Sequence, residues 1–169
     1  MQAATPLHSP VADTFRLFEL RWLSVAAMVA IGLIALPLIA PAQPLGPLLA
    51  VVLMLVGVNL ALLAGGGSWL GGVRGAFVQL ALDLLAWGVF LYFSGGPTNP
   101  AISLLLPLIA VGATILPARR AWLLVLLAVA IYSLLWEFHL PVAIADRELA
   151  MRWHLAGMWL SFALAAATV

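Results

Sequence analysis

The sequence predicts an all-α integral membrane protein: six transmembrane helices in an antiparallel bundle, with both termini in the cytoplasm. Three observations carry this. Of the 169 residues, 66 % are hydrophobic and only 8 % charged, with a mean hydropathy of +1.19, whereas soluble domains are about a quarter charged. Proline and glycine clusters cut the apolar sequence into runs near the roughly 20 residues that cross a hydrocarbon core. Third, the arginines fall mainly on alternate connections, as the positive-inside rule requires.

The spans follow in order. Residues 1–21 form a cytoplasmic and interfacial segment. Asp13, Arg16, Glu19 and Arg21 interrupt any signal-peptide core, so the first hydrophobic run is expected to be retained. Phe15, Phe18 and Trp22 share a helical face, which reads as an interfacial helix leading into the membrane. The six-helix domain is expected over 22–169, with spans at about 22–40, 48–64, 76–93, 100–117, 121–140 and 153–169. The first is stopped by Pro41, Pro44 and Pro47, the second by Gly65-Gly66-Gly67, and the third by Ser94-Gly95-Gly96-Pro97. Pro117 closes the fourth, Pro141 the fifth, and the polar turn Asp146-Arg147-Glu148 precedes the sixth. Short connections make neighbouring helices antiparallel.

Arg16, Arg21, Arg74, Arg119 and Arg120 fall on one side, and Arg147 and Arg152 on the other. This places the larger group in the cytoplasm. Trp22, Trp69, Trp122, Trp136 and Trp153 sit near helix ends, as an aromatic belt requires.

Several function classes are excluded by composition. Net charge is +1 and there is no Lys, so there is no basic field for nucleic acid. There is no Cys, and three His and six acids are too scattered for a metal site. No nucleophile–base pair is visible, so no catalytic residue is assigned.

Polar residues within spans are the functional candidates. On one half of the bundle lie Asn59, Gln79, Asp83 and Thr114. Gln79, Asp83, Trp87 and Phe90 share a face by i, i+4 and i+3 spacing. Asp83 and Asn59 read either as interhelical glue or as a sensing or proton-linked pair. Near the opposite ends lie Glu137, His139 and His154, which read as solvated interfacial groups or as second-tier ligand candidates. Pro37 and Pro107 lack an N–H, which is expected to free the carbonyls of Leu33 and Ser103.

The segment Ser94-Gly95-Gly96-Pro97-Thr98-Asn99-Pro100 is the most informative. Two glycines permit unusual backbone angles, and Asn-Pro is a strong helix start. The fourth helix is therefore expected to offer backbone N–H groups to a carbonyl or anion. The same residues also make a good helical hairpin.

Gly95-Gly96-Pro97-Thr98-Asn99-Pro100-Ala101 resembles the GGxxNPF heptad of the RegB (PrrB, ActS) redox-sensing histidine kinases. Leu20-Arg21-Trp22, Leu82-Asp83-Leu84, Ala113-Thr114 and His139-Leu140-Pro141 resemble that family's sensor region, in matching order across essentially the whole chain. The resemblance implies a multi-pass domain of a bacterial inner membrane that forms a homodimer and binds ubiquinone at Gly95–Ala101. It also implies relay of quinone redox state to a cytoplasmic kinase and its cognate response regulator. One position departs: Ala101 stands where the family has Phe, which removes a ring suited to stacking on a quinone head group. The kinase domains are absent from the sequence, which is expected to be the sensor part of a longer protein ending within or just after the sixth helix. Two rivals stay open. One is a small transporter component that uses Asp83; the other is an inert dimerising anchor.

Overall fold

The computed structural model describes residues 10–64, 71–142, 144 and 146–167. Trp69 and the Gly65-Gly66-Gly67 turn lie outside the described residues, as do the side chains of Phe15 and Arg16. Among the described residues the chain is all-helical. The elements are α1 (Pro10–Met28), a π-helical stretch Val29–Ala35, α2 (Leu36–Ile39), α3 (Leu45–Leu63) and α4 (Gly72–Phe93). Two 3₁₀ turns follow, Gly96–Thr98 and Pro100–Leu104, then α5 (Leu105–Ile115), α6 (Ala118–Glu137) and α7 (Arg147–Ala167).

Among the described residues, four helical segments are long and apolar enough to cross a membrane: Leu17–Ile39, Leu45–Leu63, Gly72–Phe93 and Ala118–Glu137. Their outward faces carry Leu38, Leu53, Leu126 and Leu134, all exposed, a surface suited to lipid rather than water. Pro100–Ile115 is apolar but shorter. Its first five residues are 3₁₀, with a rise of about 2.0 Å each against about 1.5 Å in an α-helix, so it still extends roughly 26 Å.

Helix α1 runs unbroken from Pro10 into the first candidate span, which begins at Leu17. Leu17 and Arg21 are already buried in the bundle. Near Pro37 the helix passes through π register, the Leu36 N–H donating to the Ile31 carbonyl five residues back. Such bulges accommodate a missing donor. Within the bulge, Gly32 lies against Phe90, and a Cβ there would come 2.6 Å from the ring.

Helix α4 is the centre of the bundle: 56 % of its apolar window is buried, against 22–28 % for the other three spans. It contacts α1, α3, α5 and α6. Lipid is as apolar as Leu, so interhelical hydrophobic burial drives little, and close packing and hydrogen bonds hold such a bundle together. The face predicted from Gln79, Asp83, Trp87 and Phe90 is indeed the buried one.

Two helix limits differ from the sequence expectation for identifiable reasons. Helix α6 ends at Glu137, three residues before the expected limit, with Phe138 in an extended conformation and His139-Leu140 outside the helix ahead of Pro141. The Leu140 N–H donates to the Tyr92 carbonyl. Helix α7 starts at Arg147, six residues before Trp153. Asp146 caps it, with Oδ1 accepting from the N–H groups of Glu148 (2.8 Å) and Leu149 (3.2 Å). Glu148 and Arg152 then pair at i, i+4 on its exposed face.

Candidate functional site

The heptad folds into a compact clasp between α4 and α5. Gly95 (φ +112°) and Gly96 (φ +57°) both lie in the left-handed region that L side chains avoid. They turn the chain so that Asn99 reaches back across it. The Asn99 amide nitrogen donates to the carbonyl and the hydroxyl of Ser94, both at 2.9 Å, while its oxygen accepts from the Ala101 N–H at 2.9 Å. Thr98 Oγ1 donates to the Gly95 carbonyl at 2.7 Å, and the Ile102 N–H to the Asn99 carbonyl. Two N–H groups expected to be free at this helix start, those of Ala101 and Ile102, are therefore satisfied inside the loop. The carbonyl of Ser103 is likewise engaged, by the Leu105 N–H. The expectation of free groups there is corrected: the segment opens as a 3₁₀ turn and uses them itself.

Two later elements cover the clasp. His139 lies so close over Gly96 that a Cβ there would clash with its Cβ and ring. Its Nδ1 is 2.9 Å from the Leu135 carbonyl. From α7, His154 Nδ1 sits 3.2 Å from the Thr98 carbonyl, and Ser161 Oγ donates to the Pro100 carbonyl at 3.2 Å. Between them Gly157 rests directly on the Pro100 ring. A carbonyl only accepts, so both histidines carry their proton on Nδ1, and in the neutral ring Nε2 is left as an acceptor. Pro97 is half-buried and Thr98 exposed, whereas Ala101 is buried, so the position that departs from the heptad pattern faces the protein interior. Glu137 is exposed at the end of α6.

A second polar cluster lies in the other half of the bundle. Arg21 Nε is 2.6 Å from Asp83 Oδ1, and Nη2 is 3.2 Å from Oδ2, a two-pronged pairing. Arg21 Nη1 donates to Asn59 Oδ1 at 3.2 Å, and Nη2 approaches the Gln79 carbonyl at 3.5 Å. All three of Arg21, Asn59 and Asp83 are 0 % exposed. One guanidinium thus ties α1, α3 and α4 together. One turn along α4, Trp87 Nε1 donates to Ser24 Oγ at 3.3 Å and its ring meets Phe90 edge-on. Thr114, grouped with this half from sequence, instead bonds its own helix at the Val111 carbonyl and faces outward.

Sequence reasoning assigned Arg21 to the membrane surface and missed its part in the cluster. A signal existed: a lone Asp within an apolar span needs a buried cation, and Arg21 opens the first span. The contacts of His139 and His154 with the heptad could not be read from spacing. Among the described residues no group of three or more His, Asp or Glu could hold a metal. Compared with protein-family models, curated proteins and solved structures, the chain matches none.

Proposed function

We propose that the chain is the transmembrane sensor domain of a redox-sensing histidine kinase of the RegB type, reporting the state of the membrane quinone pool. In this reading six helices cross a bacterial inner membrane with both termini cytoplasmic, α5 and α7 included, and the clasp lies at the outer face. The observation that carries the proposal is the attachment of α7 to the heptad through Thr98, Pro100, His154, Gly157 and Ser161. A ligand that disturbs the loop must disturb α7, the helix that would lead to a kinase.

The histidines supply a basis for discrimination. Oxidised quinone offers only acceptors at its carbonyls; quinol offers hydroxyl donors. With Nδ1 facing the Leu135 and Thr98 carbonyls, a neutral ring at His139 or His154 keeps Nε2 as an acceptor, which matches the reduced form. Only such a difference in affinity can shift a packing equilibrium. The shift would be read as movement of α7 across a homodimer and passed to the cognate response regulator.

The test is titration of the purified domain with ubiquinol and ubiquinone, followed by tryptophan fluorescence, in wild type and His154→Ala. Saturable binding, tighter for quinol and weakened by the substitution, is the expected result. Absence of saturable binding by either form would end the sensor reading. A second reading, an inert dimerising anchor, is favoured by one observation: the Asn99 amide and the Ala101 N–H are fully used within the loop. It expects heptad substitutions to change stability alone.

A further inference from the structure

Asn59 Nδ2 is buried and has no hydrogen-bond partner among the described residues. The amide orientation is fixed, because Asn59 Oδ1 accepts from Arg21 Nη1, and exchanging O and N would set two donors against each other. An unsatisfied buried donor costs about 1–3 kcal/mol, and a hydrocarbon surrounding offers it no relief. The cluster around it is otherwise well satisfied: both Asp83 oxygens accept from Arg21, and each oxygen keeps further lone-pair capacity.

We infer that a single water molecule binds inside the bundle at Asn59 Nδ2, completing the Arg21–Asn59–Asp83 cluster. Water fits by chemistry. The donor requires an acceptor oxygen, and a bound water also has two hydrogens to give to the remaining lone pairs nearby. Buried waters make about three hydrogen bonds of this sort. Arg21, Asn59 and Asp83 are each 0 % exposed, so the site is closed to a lipid or quinone arriving from outside. Helix α3, already tied directly to Arg21 through Asn59 Oδ1, then gains a second, water-mediated tie through Nδ2.

The chain contains two asparagines, Asn59 and Asn99, which makes the test clean. The protein is labelled with ¹⁵N at asparagine side chains only, placed in lipid bilayers, and examined by solid-state NMR for through-space magnetisation transfer from water. Asn99→Ala assigns the remaining signal to Asn59. Transfer from water to the Asn59 amide protons is expected, and it is lost when the signal is removed by Asn59→Leu. Transfer to Asn59 only from lipid protons, or only from protein protons, would overturn the inference, and the assignment needs only one of the two variants, Asn99→Ala or Asn59→Leu, to fold. Because the measurement is made without quinone, its failure leaves the proposed sensor function untouched, and the reverse also holds.

Discussion

Arg21 Nε and Asp83 Oδ1 lie 2.6 Å apart although 62 residues separate them in sequence, and neither side chain is exposed. Truncating one partner of such a pair leaves an uncompensated charge, which costs about 3–5 kcal/mol. Arg21→Met and Asp83→Leu are each expected to destabilise the bundle strongly. The double variant is expected to lose less than the sum of the two. Reversible unfolding in mixed micelles gives the coupling directly, and additive losses would show that the pair does not act as a unit.

The Gly157 contact with Pro100 fixes where α7 can dock, because any side chain at 157 runs into the ring. Gly157→Ala should lift α7 from the clasp. The chain has no Cys, so Ser161→Cys provides a single reporter at a position 3 % exposed. Its labelling by a small maleimide should be slow with Gly157 present and at least several-fold faster with Ala. Equal rates would mean that α7 docks without this contact.

At Gly96 two separate effects oppose substitution. The positive φ costs an L residue about 1–2 kcal/mol, and the added methyl also meets His139. Gly96→Ala should therefore be destabilising, and His139→Ala in the same chain should recover only the share of the clash that the ring contributes, because the Cβ at 139 stays in contact with the added methyl. Complete recovery would show that the backbone angle relaxes freely.

Asn99 caps the 3₁₀ turn through Oδ1 and holds Ser94 through Nδ2. Asn99→Ala is expected to cost about 0.5–2 kcal/mol, the usual range for a lost cap. Asn99→Asp keeps the cap acceptor but sets a carboxylate oxygen against the Ser94 carbonyl in a buried site, so it should lose at least as much as Asn99→Ala. The order Asn, Ala, Asp in thermal midpoint is the outcome to check. Indifference to all three would remove the clasp geometry as a source of stability.

The proposed orientation is testable with the same cysteine-free background. Asp146→Cys should react with a membrane-impermeant thiol reagent added to intact cells, and Arg119→Cys only after permeabilisation. The opposite pattern would invert the topology and place the heptad in the cytoplasm.

Much of the helical framework was legible in the sequence because it depends on local composition. Apolar runs bounded by proline and glycine become helices wherever backbone groups must satisfy one another out of water. The buried face of α4 was legible too, since helical spacing aligns Gln79, Asp83, Trp87 and Phe90. Asn99 as a helix start was readable from its proline neighbour.

Partners distant in sequence were the tertiary structure's to decide. Local pattern set Arg21 at a helix end, and only the packing of α1 against α3 and α4 buries it beside Asp83 and Asn59. The heptad's composition implied a turn with groups to spare; the fold turns Asn99 inward and covers the loop with His139 and α7. Helix periodicity is a property of neighbouring residues, so a single sequence displays it. Hydrogen-bond pairing across 38 to 62 residues depends on which helix faces meet, and that is fixed only when the bundle closes.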